Sequence, residues 1–139
     1  MVNDPLESDK CKAFVRQVKQ LRCWNQFSND FELVHNCNES PQGWGMNRIQ
    51  ARNWNIKQWE MGKLSGMADY TIYYNKAGED FCRAAVIEYK RNESEKALLD
   101  KGKKPEQEAF RRRALELKMP YLLTCYEEEA IEYMKDLLK

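Results

Sequence analysis

"AAVIEYK", residues 84–90, joins an apolar run to two opposite charges at its end. β-Branched and aromatic side chains favour a strand, in which successive side chains point to opposite faces of the sheet. Glu88 and Lys90 therefore share one face, while Ile87 and Tyr89 share the other. The apolar residues before Glu88 predict that this strand lies inside a sheet, so it decides the architecture.

The run ADYTIYY at residues 68–74 is the predicted partner strand. The sequence NKAGED that follows it has the length and the glycine expected of a hairpin connection. Asp69 then points to the face that carries Glu88 and Lys90, while alternate residues such as Ile72 build an apolar face. The hairpin is thus predicted to bring two carboxylates and one ammonium group together.

Periodicity and turn signals predict four helices and two further strands around this hairpin. The predicted helices cover residues 7–21, 47–61, 105–117 and a last segment that starts at the stretch 124–127; the predicted strands are residues 31–36 and 121–124. Residues 91–104 are predicted to form a polar loop, and Thr124–Glu127 matches a capping box. This order predicts an α/β fold with a mixed β-sheet flanked by helices, in a single domain over residues 1–139.

Composition excludes several classes of protein. Of the 139 residues, 42% are apolar and 32% are charged, which is typical of a globular domain and not of a disordered chain. No stretch is long and apolar enough to cross a bilayer, and the first residues lack the pattern of a signal peptide, so we expect a soluble cytoplasmic protein without a membrane partner. Five cysteines without a CxxC pair predict reduced, mostly buried thiols, and the single His35 does not complete a familiar zinc site.

The net charge of +1 is unevenly distributed along the chain. Residues 40–76 and 83–118 carry an excess of Lys and Arg, whereas residues 119–139 carry an excess of acids. This distribution allows a surface that faces a polyanion without proving one. The basic residues of the predicted helix 47–61 and of the segment after it are Arg48, Arg52, Lys57 and Lys63.

Asp69, Glu88 and Lys90 have the chemistry of a metal-dependent hydrolytic site. Two neighbouring carboxylates repel each other unless a cation lies between them, and hard oxygen ligands suit Mg²⁺ or Mn²⁺. An ion held in this way polarises a phosphate oxygen and lowers the pKa of an attacking water, and Lys90 would stabilise the charge that develops on phosphorus. On spacing alone, a solvated face of a half-exposed hairpin is the more common origin of such a pattern.

A family resemblance extends this pattern beyond the hairpin. Its residues, in order, are Gly66, Asp69, Glu88, Lys90 and Gln107. This ordered set resembles the motif of the PD-(D/E)xK nuclease superfamily, and within it the chain is similar to the VRR-NUC family of small nucleases over residues 5–138. The resemblance implies a restriction-endonuclease-like core in a single nuclease domain.

The resemblance also implies a role for each matching residue. The implied metal ligands are Asp69, Glu88, the backbone carbonyl of Tyr89 and, as an additional or water-mediated ligand, Glu7. Lys90 would be the catalytic lysine, and Gln107 would support the nucleophile or the substrate phosphate. The implied cofactor is Mg²⁺ or Mn²⁺, and the implied reaction is in-line hydrolysis of a phosphodiester bond.

The same resemblance implies a partner and a setting. Small members of the family act as structure-selective DNA endonucleases, including on four-way junctions, and tend to dimerise. We therefore expect DNA as the substrate, with RNA left open, and a homodimer. Since such nucleases are often phage-encoded, the setting would be the host cytoplasm. The basic residues of helix 47–61 and the segment after it then become the expected phosphate contacts.

Two other classes of function stay open at this point. A non-catalytic nucleic-acid-binding module would keep the nuclease fold without cleaving, although a retired site has no reason to keep the repelling carboxylates of Asp69 and Glu88. An unrelated protein interaction domain would present an apolar patch instead of a charged strand face.

Overall fold

The computed structural model describes residues 6–36, 45–61 and 66–139. Its elements are α1 (Glu7–Cys23), β1 (Phe31–His35), α2 (Arg48–Glu60), β2 (Tyr70–Tyr74), β3 (Arg83–Tyr89), α3 (Glu93–Asp100), α4 (Pro105–Glu116), β4 (Tyr121–Thr124) and α5 (Glu127–Leu137). None of the described helices is both long and apolar enough to cross a membrane. The predicted α/β fold with a mixed sheet and flanking helices is confirmed.

Strand β3 lies inside the sheet, as its apolar run predicts. The strand order is β1-β2-β3-β4, with antiparallel pairing from β1 to β3 and parallel pairing between β3 and β4. Tyr70 pairs with Ile87 and Thr71 with Val86, so the predicted alternation of faces is confirmed. Every residue of β3 from Ala85 onward is buried, because packed elements cover both faces of this strand.

The larger hydrophobic core lies between one sheet face and helices α1 and α5. Phe14 and Val18 of α1 and Met134 of α5 are buried together with Ile72 and Ile87 of the central strands. Burying a side chain of this size stabilises the fold by roughly 1.5–3 kcal/mol. This layer therefore provides the main support for the strands that carry the charged residues.

A smaller core on the opposite sheet face holds α4. Phe110 of α4 packs with Ala68 and Val86. Glu88 and Lys90 follow Val86 on this same face, at the end of β3. The apolar contact thus positions the first turn of α4 beside the charged end of the strand.

The predicted loop at residues 91–104 is wrong in part, because α3 occupies Glu93–Asp100. The Asn92 side chain caps this helix by accepting the N–H of Glu95 at 3.0 Å, and Leu99 is its buried residue. A helix of 8 residues with one buried side chain has too weak a periodicity to be found from sequence alone.

The predicted capping box at Thr124 is also wrong. Helix α5 begins at Glu127, and its N-cap residue Tyr126 makes no side-chain capping bond. The Thr124 hydroxyl instead accepts the N–H of Tyr126 at 3.0 Å. Thr124 cannot start the helix because it is the last residue of β4 and still extended.

The four cysteines in the described residues are free thiols, as predicted. Their expected burial is wrong for the set, since Cys23 and Cys82 are exposed, Cys11 is partly buried and only Cys125 of these four is buried. Cys37 lies outside the described residues.

Candidate active site

Asp69 and Glu88 meet at the end of the β2–β3 hairpin. The last paired residues there are Tyr70 and Ile87, so continuing the antiparallel register by one step puts Asp69 opposite Glu88 on one face. The Asp69 carboxylate accepts the backbone N–H of Tyr89 through Oδ2 at 2.7 Å. This bond takes the place of the next ladder contact and holds the Asp69 side chain against β3.

Lys90 is a buried cation at the centre of the site. Its Nζ lies 3.1 Å from Oε1 of Glu88 and donates to Oε1 of Gln107 at 2.7 Å. Only 3% of Glu88 and 6% of Lys90 are exposed. The alternative of a solvated hairpin face is therefore wrong for these two residues.

The hydrogen bonds of β3 explain why Lys90 enters the site. The Lys90 N–H donates to the carbonyl of Thr124 in β4 at 2.8 Å, so parallel pairing continues one residue beyond the end of the strand. Strand alternation then puts the Lys90 side chain on the face of Glu88. The pairing with β4 thus fixes the backbone from which the ammonium group reaches both Glu88 and Gln107.

Burial raises the pKa values of both carboxyl groups, and the charge of Asp69 raises that of Glu88 further. The pKa of Glu88 is raised to about 7, first by burial and then by the negative charge of Asp69, against the opposing effect of Lys90. Burial likewise raises the pKa of Asp69, although the hydrogen bond from Tyr89 and the charge of Lys90 oppose the shift. A second cation would relieve this repulsion, since nearby positive charge favours the ionised carboxylate.

Glu7 lies at the rim of the same site. It is the first residue of α1, and its pKa is raised by burial and by the charge of Asp69, while Lys90 and Lys104 lower it. The start of α1 is held in place by Lys10, whose Nζ donates to the carbonyls of Arg91 and Cys125. The first helix therefore brings a third carboxylate within electrostatic reach of Asp69.

The donor set fits a hard divalent cation. Asp69 and Glu88 supply carboxylate oxygens, and the Tyr89 carbonyl faces the same edge as its N–H, which is bonded to Asp69, because both groups of a strand residue point to one side. In the described parts of the chain, no three His, Cys, Asp or Glu side chains gather into a metal-binding group. Two carboxylates and one backbone carbonyl are nonetheless the kind of set that leaves positions for water on Mg²⁺.

Gly66 allows α4 to approach the hairpin. It has a φ of +75°, and a Cβ atom at this position would lie 2.4 Å from the carbonyl carbon and oxygen of Glu106. Gln107 follows Glu106 in the first turn of α4 and accepts the hydrogen bond from Lys90. The glycine of the sequence motif is thus packed directly against the turn that presents Gln107.

Asn36 is a site residue to which sequence reasoning assigned no role. Its side-chain amide donates to the carbonyl of Ala68 at 3.0 Å and to the Thr71 hydroxyl at 2.8 Å, while its N–H donates to the Asp69 carbonyl at 2.7 Å. These bonds brace the bend that carries Asp69. The only signal in the sequence is an asparagine directly after a strand, which is typical of many turns.

The predicted phosphate contacts Arg48, Arg52 and Lys57 are not among the described residues that line the cleft of the carboxylate site. Arg48, Arg52 and Lys57 are exposed on α2, and Lys63 lies outside the described residues. The cleft beside Asp69 has a volume of about 1170 Å³, and its described lining comes from α1, the end of β1 and the start of β2. Sequence reasoning missed this role of α1 because its cations look like an ordinary solvated helix face.

Comparison with known proteins gives no independent information on the function of this site. No protein-family profile, no curated protein and no solved structure matches the chain significantly. Any assignment of function therefore depends on the arrangement of the chain's own residues.

Proposed function

We propose that this chain is a nuclease that requires Mg²⁺ or Mn²⁺ and hydrolyses phosphodiester bonds in DNA. The observation that carries the proposal is the buried contact of Lys90 with Glu88 and Gln107, beside Asp69. Burying ionised groups costs more free energy than burying apolar side chains of similar volume. A cluster of this kind on a central strand is therefore better explained by chemistry at the site than by stability.

The fold is consistent with the proposal. The resemblance to the PD-(D/E)xK superfamily implies a mixed sheet with helices on both sides, which this chain has. We propose that this sheet and its helices form a restriction-endonuclease-like core. The motif residues Gly66, Asp69, Glu88 and Lys90 gather around one end of the hairpin, with Gln107 completing the set.

Each residue then has a defined task. Asp69, Glu88 and the Tyr89 carbonyl would hold the cation, with Glu7 reaching it directly or through water. When bound, the ion supplies a polarised phosphate oxygen and a more acidic attacking water. Lys90 is then placed to donate a hydrogen bond to that water or to a phosphate oxygen.

Gln107 would orient Lys90 through its side-chain oxygen. In the reaction, the attacking water would give up a proton to solvent as its oxygen bonds to phosphorus, and the bond to the leaving sugar oxygen would break as that oxygen takes up a proton from solvent. The two carboxylates would stay ionised to hold the cation, while Lys90 would offset the negative charge that builds up on the phosphate.

A cleavage assay tests this function directly. Wild type and the Lys90→Ala variant are incubated with linear, nicked, single-stranded, flapped and four-way DNA, and with single-stranded RNA, in Mg²⁺, Mn²⁺ or EDTA. We expect cation-dependent cleavage by wild type and a loss of about 100-fold or more in the variant, the size of effect typical for a positioned proton donor. Far-UV circular dichroism confirms that the variant is folded.

The assay also separates the main alternatives. Equal cleavage by wild type and Lys90→Ala, or cleavage by wild type in EDTA, would contradict the proposed site. Binding of DNA by wild type without cleavage under any of these conditions would instead favour a non-catalytic nucleic-acid-binding module. Preference among the DNA forms would identify the substrate structure, for which four-way junctions are the expectation from the resemblance.

A further inference from the structure

A cleft runs along α1 away from the carboxylate site. Its described lining residues are Glu7, Ser8, Asp9, Cys11, Lys12, Val15, Arg16, His35, Asn36, Asp69 and Tyr70. The acidic end, at Glu7 and Asp69, adjoins the site described above. Lys12 and Arg16 supply positive charge about 1.4 and 2.5 helical turns after Glu7 on the same helix.

The spacing of Lys12 and Arg16 suits a row of phosphates. The two residues are four positions apart on one helix, so they share a face and lie about 6 Å apart along its axis. This distance is comparable to that between consecutive phosphates of one nucleic-acid strand. A strand that enters the cleft with its reacting phosphate at Asp69 would therefore carry its next phosphates past these cations.

Both side chains are also available for a ligand. Lys12 and Arg16 are exposed, and within the described residues neither forms an ion pair or a hydrogen bond. Several other arginines of the fold are neutralised internally: Arg22 pairs with Asp30 and Arg83 with Glu79. The positive charge beside the cleft is thus not used within the described fold.

A further exposed cation lies at the start of α4. Lys104 is the N-cap residue of this helix, three residues before Gln107, which accepts a hydrogen bond from Lys90. Positive charge is therefore available on α4 as well as on α1, which suits a polyanion bound at this site.

We propose that Lys12 and Arg16 of α1 bind the phosphates next to the scissile phosphate, so that α1 forms a nucleic-acid contact surface. This inference rests on the proposed nuclease function, and it identifies the ligand of the cleft as the sugar-phosphate backbone of one strand. Contacts to phosphate position the substrate without reading its bases. Recognition through this surface is therefore independent of sequence.

A binding titration with a matched control tests the inference. Fluorescence anisotropy with labelled four-way and single-stranded DNA is measured in EDTA, over a range of salt concentrations, for wild type and Lys12→Ala/Arg16→Ala. The control is Lys135→Ala/Lys139→Ala, which removes the same charge at the end of α5; the opposite end of this helix follows Thr124, whose carbonyl accepts from Lys90. We expect at least tenfold weaker binding for the α1 variant and a near wild-type affinity for the control.

The salt dependence and the kinetics give independent readouts. Losing two phosphate contacts should reduce the slope of log K against log salt by about 1.4–1.8, according to whether the DNA is single- or double-stranded. In cleavage assays, the α1 variant should raise KM with little change in kcat, because it retains every residue of the chemical site.

The outcomes for the two proposals differ. If the α1 variant binds and cleaves like wild type, the inference is wrong while the nuclease function stands. If the α1 and control variants lose affinity equally, the effect is one of total charge and the inference is wrong. If wild type neither binds nor cleaves nucleic acid, both proposals fail together.

Discussion

Glu88 is a buried carboxyl group whose pKa is strongly raised by its surroundings. It is buried, and the negative charges of Asp69 and Glu7 raise its pKa. Lys90, whose Nζ lies 3.1 Å from the Glu88 carboxylate, opposes this effect. Burial is the main reason why the pKa of Glu88 rises to about 7, and the neighbouring negative charges add to the rise. An added cation would neutralise these charges, so the cost of burying Glu88 is linked to ion binding.

This residue should make the stability of the ion-free protein depend on pH. Between the usual pKa of 4.5 and the folded value of about 7, the folded state binds more protons than the unfolded state, so stability falls as pH rises. Each unit of the shift corresponds to about 1.4 kcal/mol. Urea unfolding in EDTA at pH 5 and pH 7.5 should show a decline that Glu88→Gln reduces by roughly 2 kcal/mol.

The control for the pH experiment is Glu129→Gln, in an exposed position on α5. It should keep the wild-type decline, because the changed side chain is solvated. Asp69 contributes in the same direction as Glu88, since burial also raises its pKa, so the decline in Glu88→Gln should be smaller but not absent. Identical pH dependence in wild type and Glu88→Gln would show that Glu88 does not titrate in this way.

At the scale of elements, the site depends on how closely α4 approaches the hairpin. Phe110 holds α4 against Ala68 and Val86, and Gly66 lets the first turn come into contact with the chain before β2. These contacts bring Gln107 within hydrogen-bond distance of Lys90. The position of one helix therefore sets the orientation of the Lys90 ammonium group.

Gly66→Ala should impair both stability and cleavage. The new Cβ would meet the Glu106 carbonyl at 2.4 Å, so the first turn of α4 must shift and carry Gln107 away from Lys90. The left-handed φ costs about 1–2 kcal/mol for alanine, and the overlap adds about 1–3 kcal/mol. Urea unfolding and cleavage rates measure the two effects.

Gly78→Ala provides the matched control for this variant. Gly78 also has a positive φ, +85°, but a Cβ atom there meets nothing within 4 Å. It should therefore show the backbone cost alone and cleave at the wild-type rate. Equal losses of activity in the two variants would contradict the proposed role of the contact between Gly66 and α4.

Helix α1 packs into the larger core and also lines the cleft. Phe14 and Val18 are buried in the larger core, while Lys12 and Arg16 face the cleft. Lys10 ties the start of the helix to the chain after β3 and β4 through two backbone carbonyls. The core and these bonds hold α1 in place beside the cleft, which would suit the proposed role of this wall in positioning substrate.

For the molecule as a whole, the sheet is stabilised from both faces while one end retains unfavourable charge. The larger core joins α1 and α5 to the sheet, and the smaller core adds α4. The free energy gained from this packing offsets the cost of holding Asp69 and Glu88 together in the absence of an ion. A ligand that binds the carboxylates only in the folded state should therefore stabilise the entire domain.

Divalent cations should raise the melting temperature of wild type. At ten times the dissociation constant, binding adds about 1.4 kcal/mol, which corresponds to roughly 4 °C or more for a domain of this size. Calorimetry at pH 7.5 with MgCl₂ or MnCl₂, compared with NaCl of equal ionic strength, measures the shift. Asp69→Asn and Glu88→Gln should each lose most of it, since each removes a proposed ligand.

The result that counts against a metal site is equally clear. If wild type shows no shift up to millimolar concentrations of either ion, the proposed ligand set does not hold a cation in the free protein. A shift of the same size in wild type and Glu88→Gln would place the ion elsewhere in the molecule.

Local pattern was enough to predict much of the fold. The alternation of AAVIEYK and ADYTIYY specified the two faces of the hairpin, and the apolar periods of α1 and α5 located the helices that cover one of them. These features depend on residues close together in sequence, because strand and helix periodicity are properties of the local backbone. The short helix α3 and the start of α5 were missed where that local signal was weak or ambiguous.

The sequence by itself determined the hairpin and the shared face of Asp69, Glu88 and Lys90. Only the tertiary structure decided that Glu88 and Lys90 are buried, that Gln107 meets Lys90, and that Asn36 braces the bend at Asp69. The physical reason is that burial and these hydrogen bonds join residues far apart in the chain, and such contacts exist only after the helices have packed on the sheet.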